Sequence, residues 1–214
     1  MRSLQLTSLG LAILFAPVIL GQQPDLEGVY QSVSDKTTLP SGLKNAGSPA
    51  AIQLLPGKPL ASAKDPWKTC QPVGPFRMMA AVGTKIELAP VSAMIVMLFE
   101  DLSHGMMRTI YLKRGHPAKL EPTWLGDSVG RWEGETLVVD TIGFNDQTWL
   151  NERGAQPSDA LHLVERIRPV MGGEYLEYKM TAEDSKALAK PYSYTRYYKK
   201  VDSEIMDDLC RDEE

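Results

Sequence analysis

The side chains with chemical potential in this 214-residue chain are few: three histidines, two cysteines, and a scatter of carboxylates and arginines. His162 stands on the run 161–168. Strand alternation there puts His162, Val164, Arg166 and Arg168 on one face and Leu161, Leu163, Glu165 and Ile167 on the other. The first face is too polar for an ordinary core face. It is either plainly solvated or a polar patch lining a cavity, where a histidine and an arginine would hold an anionic or carbonyl group. Glu165 sits among apolar neighbours, and a buried carboxylate needs a partner, with Arg108 or Arg131 in that role. His116, beside Pro117 after a strand, is a second imidazole, and Asp140 ends another strand. In an acid–base reading His162 or His116 is the general base and Asp140 or Glu165 orients it. Arg108 or Arg166 then holds developing negative charge.

A second set suits binding rather than catalysis. The segment 143–149 follows the Asp140 strand and contains Asn145 and Trp149. Its polar residues form a turn by themselves. In a functional reading Asp140, Asn145 and Trp149 bring an acid, an amide and an aromatic plate to one rim of a barrel. Trp124, Trp132 and Tyr111 would extend that wall around a small, largely apolar ligand. Short catalytic signatures are missing: no phosphate-cradling glycine loop, no strand-turn-helix serine elbow, no His-Glu-x-x-His and no paired-cysteine zinc motif. A zinc site would need His104, His116 and His162 to converge from separate elements. Neither a metal nor a cofactor is therefore assigned.

The elements that must position these residues read as short strands. Residues 86–88, 94–100, 107–113, 136–141, 161–168, 175–181 and 193–201 are β-branched or aromatic runs bounded by turn residues. The run 94–100 is apolar enough to be buried on both faces. Residues 131–140 form a hairpin with 133–135 at its tip, and Met171-Gly172-Gly173-Glu174 is a tight turn. On 175–181, Leu176, Tyr178 and Met180 point one way and Glu177 and Lys179 the other. Residues 182–190 carry the only helical pattern, about two turns. Seven or eight short strands joined by short turns predict a mainly β, antiparallel barrel or sandwich. An up-and-down, lipocalin-like or calycin-like barrel is preferred. A possible strand begins near Val29, and residues 34–66, rich in Pro, Gly and Ser, read as a long loop or arm. The expected organisation is a signal segment over 1–21, an arm over 22–66, and a barrel core over 67–214 with a tethered tail.

The formal net charge is −4, and no basic stripe is present to neutralise phosphates, which argues against nucleic acid. Arg2, the apolar stretch 6–20 and the small Gly21 have the layout of a secretory signal. That stretch is too short for a stable span, and no second one follows, so a periplasmic or secreted location with no membrane span is expected. In an oxidising compartment Cys70 and Cys210, the two cysteines, are expected to pair. The bridge would close a loop of about 140 residues, worth roughly 4–5 kcal/mol in the chain-entropy treatment.

The chain also resembles an uncharacterised family of exported bacterial proteins. The likeness rests on Asp25-Leu26-Glu27-Gly28-Val29-Tyr30, Cys70-x-Pro72, Arg108-Thr109-Ile110-Tyr111, His116-Pro117 and the string from Gly130 to Thr141. Gly143-Phe144-Asn145-Asp146, Trp149-Leu150, residues 158–162 and Glu165-Arg166 belong to it too. The resemblance brings no established activity, but its C-terminal cysteine near acidic residues is similar to Cys210-Arg211-Asp212-Glu213 and supports the bridge. Pro157 stands where relatives carry a histidine. Lys113-Arg114-Gly115 replaces an Asp-Gly-Arg turn, so this member departs from any activity that needs those groups. Three functions follow: a small-molecule-binding barrel, a cofactor-free hydrolase, lyase, isomerase or cyclase, and an accessory module that docks through its arm.

Overall fold

In the computed structural model, residues 23–34, 39–100 and 107–206 are described. The signal segment, His104 and Cys210 lie outside them. Nine strands close into one barrel in chain order: β1 (Gly28–Ser32), β2 (Lys85–Val91), β3 (Met94–Glu100), β4 (Met107–Tyr111), β5 (Asp127–Glu133), β6 (Thr136–Ile142), β7 (His162–Val170), β8 (Tyr175–Glu183) and β9 (Tyr192–Val201). Closure is made by β1 against β9, from Val29 opposite Val201 to Ser32 opposite Tyr198. Every neighbouring pair is antiparallel except β4 and β5, which run parallel with Ile110 opposite Ser128. A parallel pair needs a connection that travels the length of the strands. Residues 112–126 make that crossover, and it interrupts the expected up-and-down order. Nine strands and a parallel pair also set this barrel apart from the eight-stranded lipocalin arrangement.

The interior is built by period-two alternation. Leu176, Tyr178, Met180 and Ala182 are buried on β8, while Glu177, Lys179 and Thr181 face outward. On β3 only Ile95, Met97 and Phe99 are buried, which corrects the expectation of a strand covered on both faces. An antiparallel barrel fills its inside and leaves the other side of the wall toward solvent. The string from Gly130 to Thr141 forms the β5–β6 hairpin, turning at Gly134 with φ 61°.

Two expectations about elements are overturned. The barrel does not begin at Trp67, because β1 belongs to it and the arm is an insertion between β1 and β2, running over residues 33–84. Five residues are too few to display a period. The helix expected over 182–190 is also absent: Ala182 and Glu183 finish β8. Asp184 then accepts from the Ser158 amide and hydroxyl at 2.6 Å each and from the Lys186 amide at 3.0 Å. A carboxylate that takes nearby backbone N–H groups favours a turn over a helix.

The one α-helical turn among the described residues, α1 (Pro75–Met78), comes from the arm, opened by Gly74 at φ 77° with proline in the first turn. It plugs one end of the barrel, with Phe76, Met78 and Met79 fully buried. The Tyr194 hydroxyl donates to the Phe76 carbonyl and the Tyr198 hydroxyl to the Met79 carbonyl, each at 2.6 Å. The Phe76 and Tyr194 rings meet edge to face at 5.2 Å. Isolated bridges from Ala46 to Thr195 and from Leu54 to Leu188 hold the arm across the same end. Among the described residues no helix is long and apolar enough to cross a membrane.

Candidate functional site

Three of the six candidate catalytic residues meet on the outer wall. Asp140 on β6 and His162 at the start of β7 both project outward, and the crossover lays His116 over them. The Asp140 carboxylate is shared: Oδ1 lies 3.0 Å from His116 Nε2 and Oδ2 lies 2.9 Å from His162 Nε2. His116 Nδ1 lies 2.7 Å from Asp127 Oδ1. The His116 ring is thus held between two carboxylates, one at each nitrogen. Arg114 grips the same Asp127, its Nη1 donating at 3.1 Å, and its guanidinium stacks 3.6 Å from the centre of the Tyr111 ring. Beyond His162, Glu183 comes within 4.0 Å of Nδ1.

Burial pushes the Asp140 carboxyl up, but hydrogen bonds and charge from His162 and His116 outweigh it and hold it below its ordinary value. Asp127 is lowered in the same way, with Arg114 and His116 overcoming its desolvation. The three side chains keep 19% (His116), 30% (Asp140) and 34% (His162) of their surface exposed, so water reaches them. An anionic acid joining two imidazoles can pass a proton between them and hold either ring in one orientation. Both Asp140 oxygens are occupied by imidazole nitrogens. No group of three or more His, Cys, Asp or Glu among the described residues is arranged to hold a metal.

The other candidates do not join this cluster. Glu165 and Arg108 face inward, where their side chains are 0% and 2% exposed. Arg108 donates to both Glu165 oxygens, to Ser128 Oγ at 3.0 Å and to Thr141 Oγ1 at 2.8 Å. Tyr178 donates its hydroxyl to Glu165 at 2.7 Å. The pairing read from sequence is therefore present with Arg108, not Arg131. Desolvation disfavours the Arg108 charge, and the adjacent Glu165 carboxylate more than restores it. Burial pushes the Tyr178 hydroxyl well above its usual value. Arg166 points outward and pairs with Glu133 at 2.9 Å.

The expected ligand-binding residues are likewise dispersed. Trp132 packs partly against the core, and Trp149 is buried. Asn145 closes its own turn by accepting from the Gln147 amide at 3.3 Å. Tyr111 lies under Arg114, and Trp124 is half-buried in the crossover. None of the five lines the large pocket.

That pocket, of about 910 Å³, opens at the plugged end between α1, the arm and the loop 151–153. Pro49, Ala50, Trp67, Ala80, Ala81 and Val82 supply its apolar lining. Arg77 lines it too, gripped by Asp65 through bonds of 2.6 and 2.8 Å and lying 5.4 Å from the Trp67 ring centre. Arg196, on the inward face of β9 between Tyr194 and Tyr198, also lines it at 5% exposure. Reading residues by type passed over Arg196, Asp127 and Arg114. The signal for Arg196 was present, since a charged residue occupies the inward phase of the series Tyr192, Tyr194, Arg196, Tyr198. Asp127 and Arg114 gave none, because only the crossover brings them to His116. Comparison of the chain with protein-family models and with curated proteins finds no match in either.

Proposed function

We propose that this is an exported β-barrel protein that binds a small, largely apolar molecule, seated in the mouth at the plugged end. The observation that carries the reading is the 910 Å³ pocket, whose lining combines apolar residues with charged and polar ones. A volume in that range suits a drug-sized ligand, and few well-placed polar groups are enough to orient one. This reading seats the ligand at the mouth rather than in the barrel interior, which holds the buried Arg108–Glu165 pair. Arg2 and the apolar stretch 6–20 support export to the periplasm or medium. An exported chain favours a Cys70–Cys210 bridge. Native mass spectrometry of the mature protein, purified from its own compartment beside a denatured control, tests all three points. The expected result is a mass lacking the leader and two hydrogens, with a small molecule lost on denaturation. A bare native mass, together with no rise in melting temperature across a panel of amphiphiles, would sink the binding reading.

A second reading rests on a different observation, the His116–Asp140–His162 array. It makes the outer wall an acid–base site of a cofactor-free enzyme, with His162, the more exposed imidazole, exchanging the proton and Asp140 orienting it. Turnover of an ester, lactone or epoxide that disappears in Asp140→Asn but survives Glu133→Gln would support it. Equal turnover in both variants would remove it.

A further inference from the structure

We infer that the molecule bound in the mouth is an organic anion, an apolar or aromatic body carrying one carboxylate, and that Arg196 receives that carboxylate. The inference rests on the mouth pocket being the ligand seat and adds the chemical class of the ligand. Its basis is an unbalanced buried charge. Arg196 Nη1 donates to the carbonyls of Ala46, Gly47 and Thr195, at 3.4, 2.9 and 3.0 Å. These dipoles orient the guanidinium without neutralising it. Nε is buried with no hydrogen-bond partner, alone in that respect among the buried side-chain nitrogens and oxygens of the described residues. No described carboxylate forms an ion pair with Arg196. Every other strongly buried arginine has one: Arg108 has Glu165 and Arg77 has Asp65.

The surrounding charges point the same way. Lys68, Arg77, Arg153 and Arg196 line the pocket against Asp65 and Glu152, four cations to two anions, and Asp65 is already held by Arg77. Arginine keeps its charge at any ordinary pH, and an uncompensated buried charge is costly until an anion reaches it. A carboxylate matches a guanidinium edge through parallel N–H donors, and the free Nε is part of such an edge. The Tyr194 ring centre lies 5.3 Å from the Arg196 guanidinium carbon, within cation–π range, and supplies no counter-charge. The apolar lining residues, Trp67 among them, then take the body of the molecule.

Isothermal titration with two matched pairs tests this: 1-naphthaleneacetate against 1-naphthaleneethanol, and decanoate against decan-1-ol. The expected result is that at least one acid binds roughly 10- to 100-fold more tightly than its alcohol, as a charge-assisted hydrogen bond predicts. That preference should vanish in Arg196→Met, with acid and alcohol binding alike. Equal binding of acid and alcohol would overturn the anion inference and leave the binding site standing. No binding by any of the four would overturn both. If Arg196→Met does not fold, the acid–alcohol preference of the unaltered protein decides the matter.

Discussion

Replacing Glu165 by glutamine asks whether the two charges inside the barrel are chemistry or scaffold. The substitution keeps the shape and removes the charge. It leaves the Arg108 guanidinium, 2% exposed, without a counter-ion, and turns an amide NH₂ toward a group that only donates. Breaking a buried ion pair from one side costs about 3–5 kcal/mol. In a chain of this length each kcal/mol moves the melting temperature by roughly 2–4 °C, so a fall of about 6–20 °C is expected. Arg108→Met should cost as much, because it strands the carboxylate. The combined Arg108→Met/Glu165→Leu protein should be far more stable than the sum of the single losses. Ser128 Oγ and Thr141 Oγ1 still pair with each other at 3.1 Å, and only the Tyr178 hydroxyl loses its strong acceptor. Adding Tyr178→Phe removes that deficit as well. Urea unfolding followed by circular dichroism and tryptophan fluorescence gives the cycle. A Glu165→Gln loss under about 1 kcal/mol, or single losses that simply add, would refute the view of a sealed and mutually dependent pair.

Three further outcomes are expected. Asp140 and Asp127 are both held below their ordinary values, so each contributes stability that is complete above the unfolded-state value of about 3.9 and is lost as pH falls through the lower folded value. Asp140→Asn should therefore flatten the acid limb of the stability–pH curve below about pH 4. An acid limb unchanged from the parent would refute this. Tyr198→Phe strands the buried Met79 carbonyl it meets at 2.6 Å and should cost about 1–3 kcal/mol, with faster proteolysis within residues 73–82 than elsewhere. A digest that stays uniform would argue against the plug as a locally held unit. Gly130→Ala places a methyl 2.8 Å from Ile110 Cγ2 and 2.9 Å from Leu112 Cδ2, and should lose about 1–3 kcal/mol by overpacking. No loss would mean the crossover yields there.

Much of the fold was legible because a barrel wall writes its inside and outside into alternate residues. Leu176, Tyr178 and Met180 on β8 displayed that pattern, and the lone charge at Glu165 within an apolar face marked a buried partner in advance. What escaped was set by connections rather than by periods. The crossover is an irregular segment, yet it alone carries His116 to Asp127 and Asp140. The arm has no periodicity, yet it supplies α1 and most of the mouth. The apparent helix over 182–190 failed because Asp184 recruits the Ser158 amide from 26 residues away, a contact no local pattern contains. The Trp and Tyr wall expected for the ligand failed for a related reason. Aromatic type does not say whether a ring fills the core, as Trp149 does, or faces a space, as Trp67 does.

The position of Arg196 joins these points. The barrel interior holds the Arg108–Glu165 pair and four fully buried tyrosines, Tyr30, Tyr178, Tyr194 and Tyr198. One end is occupied by α1, where the carbonyls of Phe76 and of the capping Met79 accept from Tyr194 and Tyr198 of β9. Arg196 lies between those two tyrosines on the same strand face, and its backbone contacts come from Ala46 and Gly47 of the arm. The residues that seat the plug thus alternate with the one that lines the pocket, and the arm that forms the outer wall also orients the guanidinium. A shift of α1 or of the arm would change the depth at which Arg196 lies. Occupancy of the mouth should then stabilise the arm as well as the barrel. Hydrogen exchange should show added protection at Ala46 and Thr195, whose amides bond each other's carbonyls at 3.0 and 2.8 Å, when the naphthaleneacetate is bound. Protection confined to β7 and β8, with the arm unchanged, would place the ligand elsewhere on the barrel.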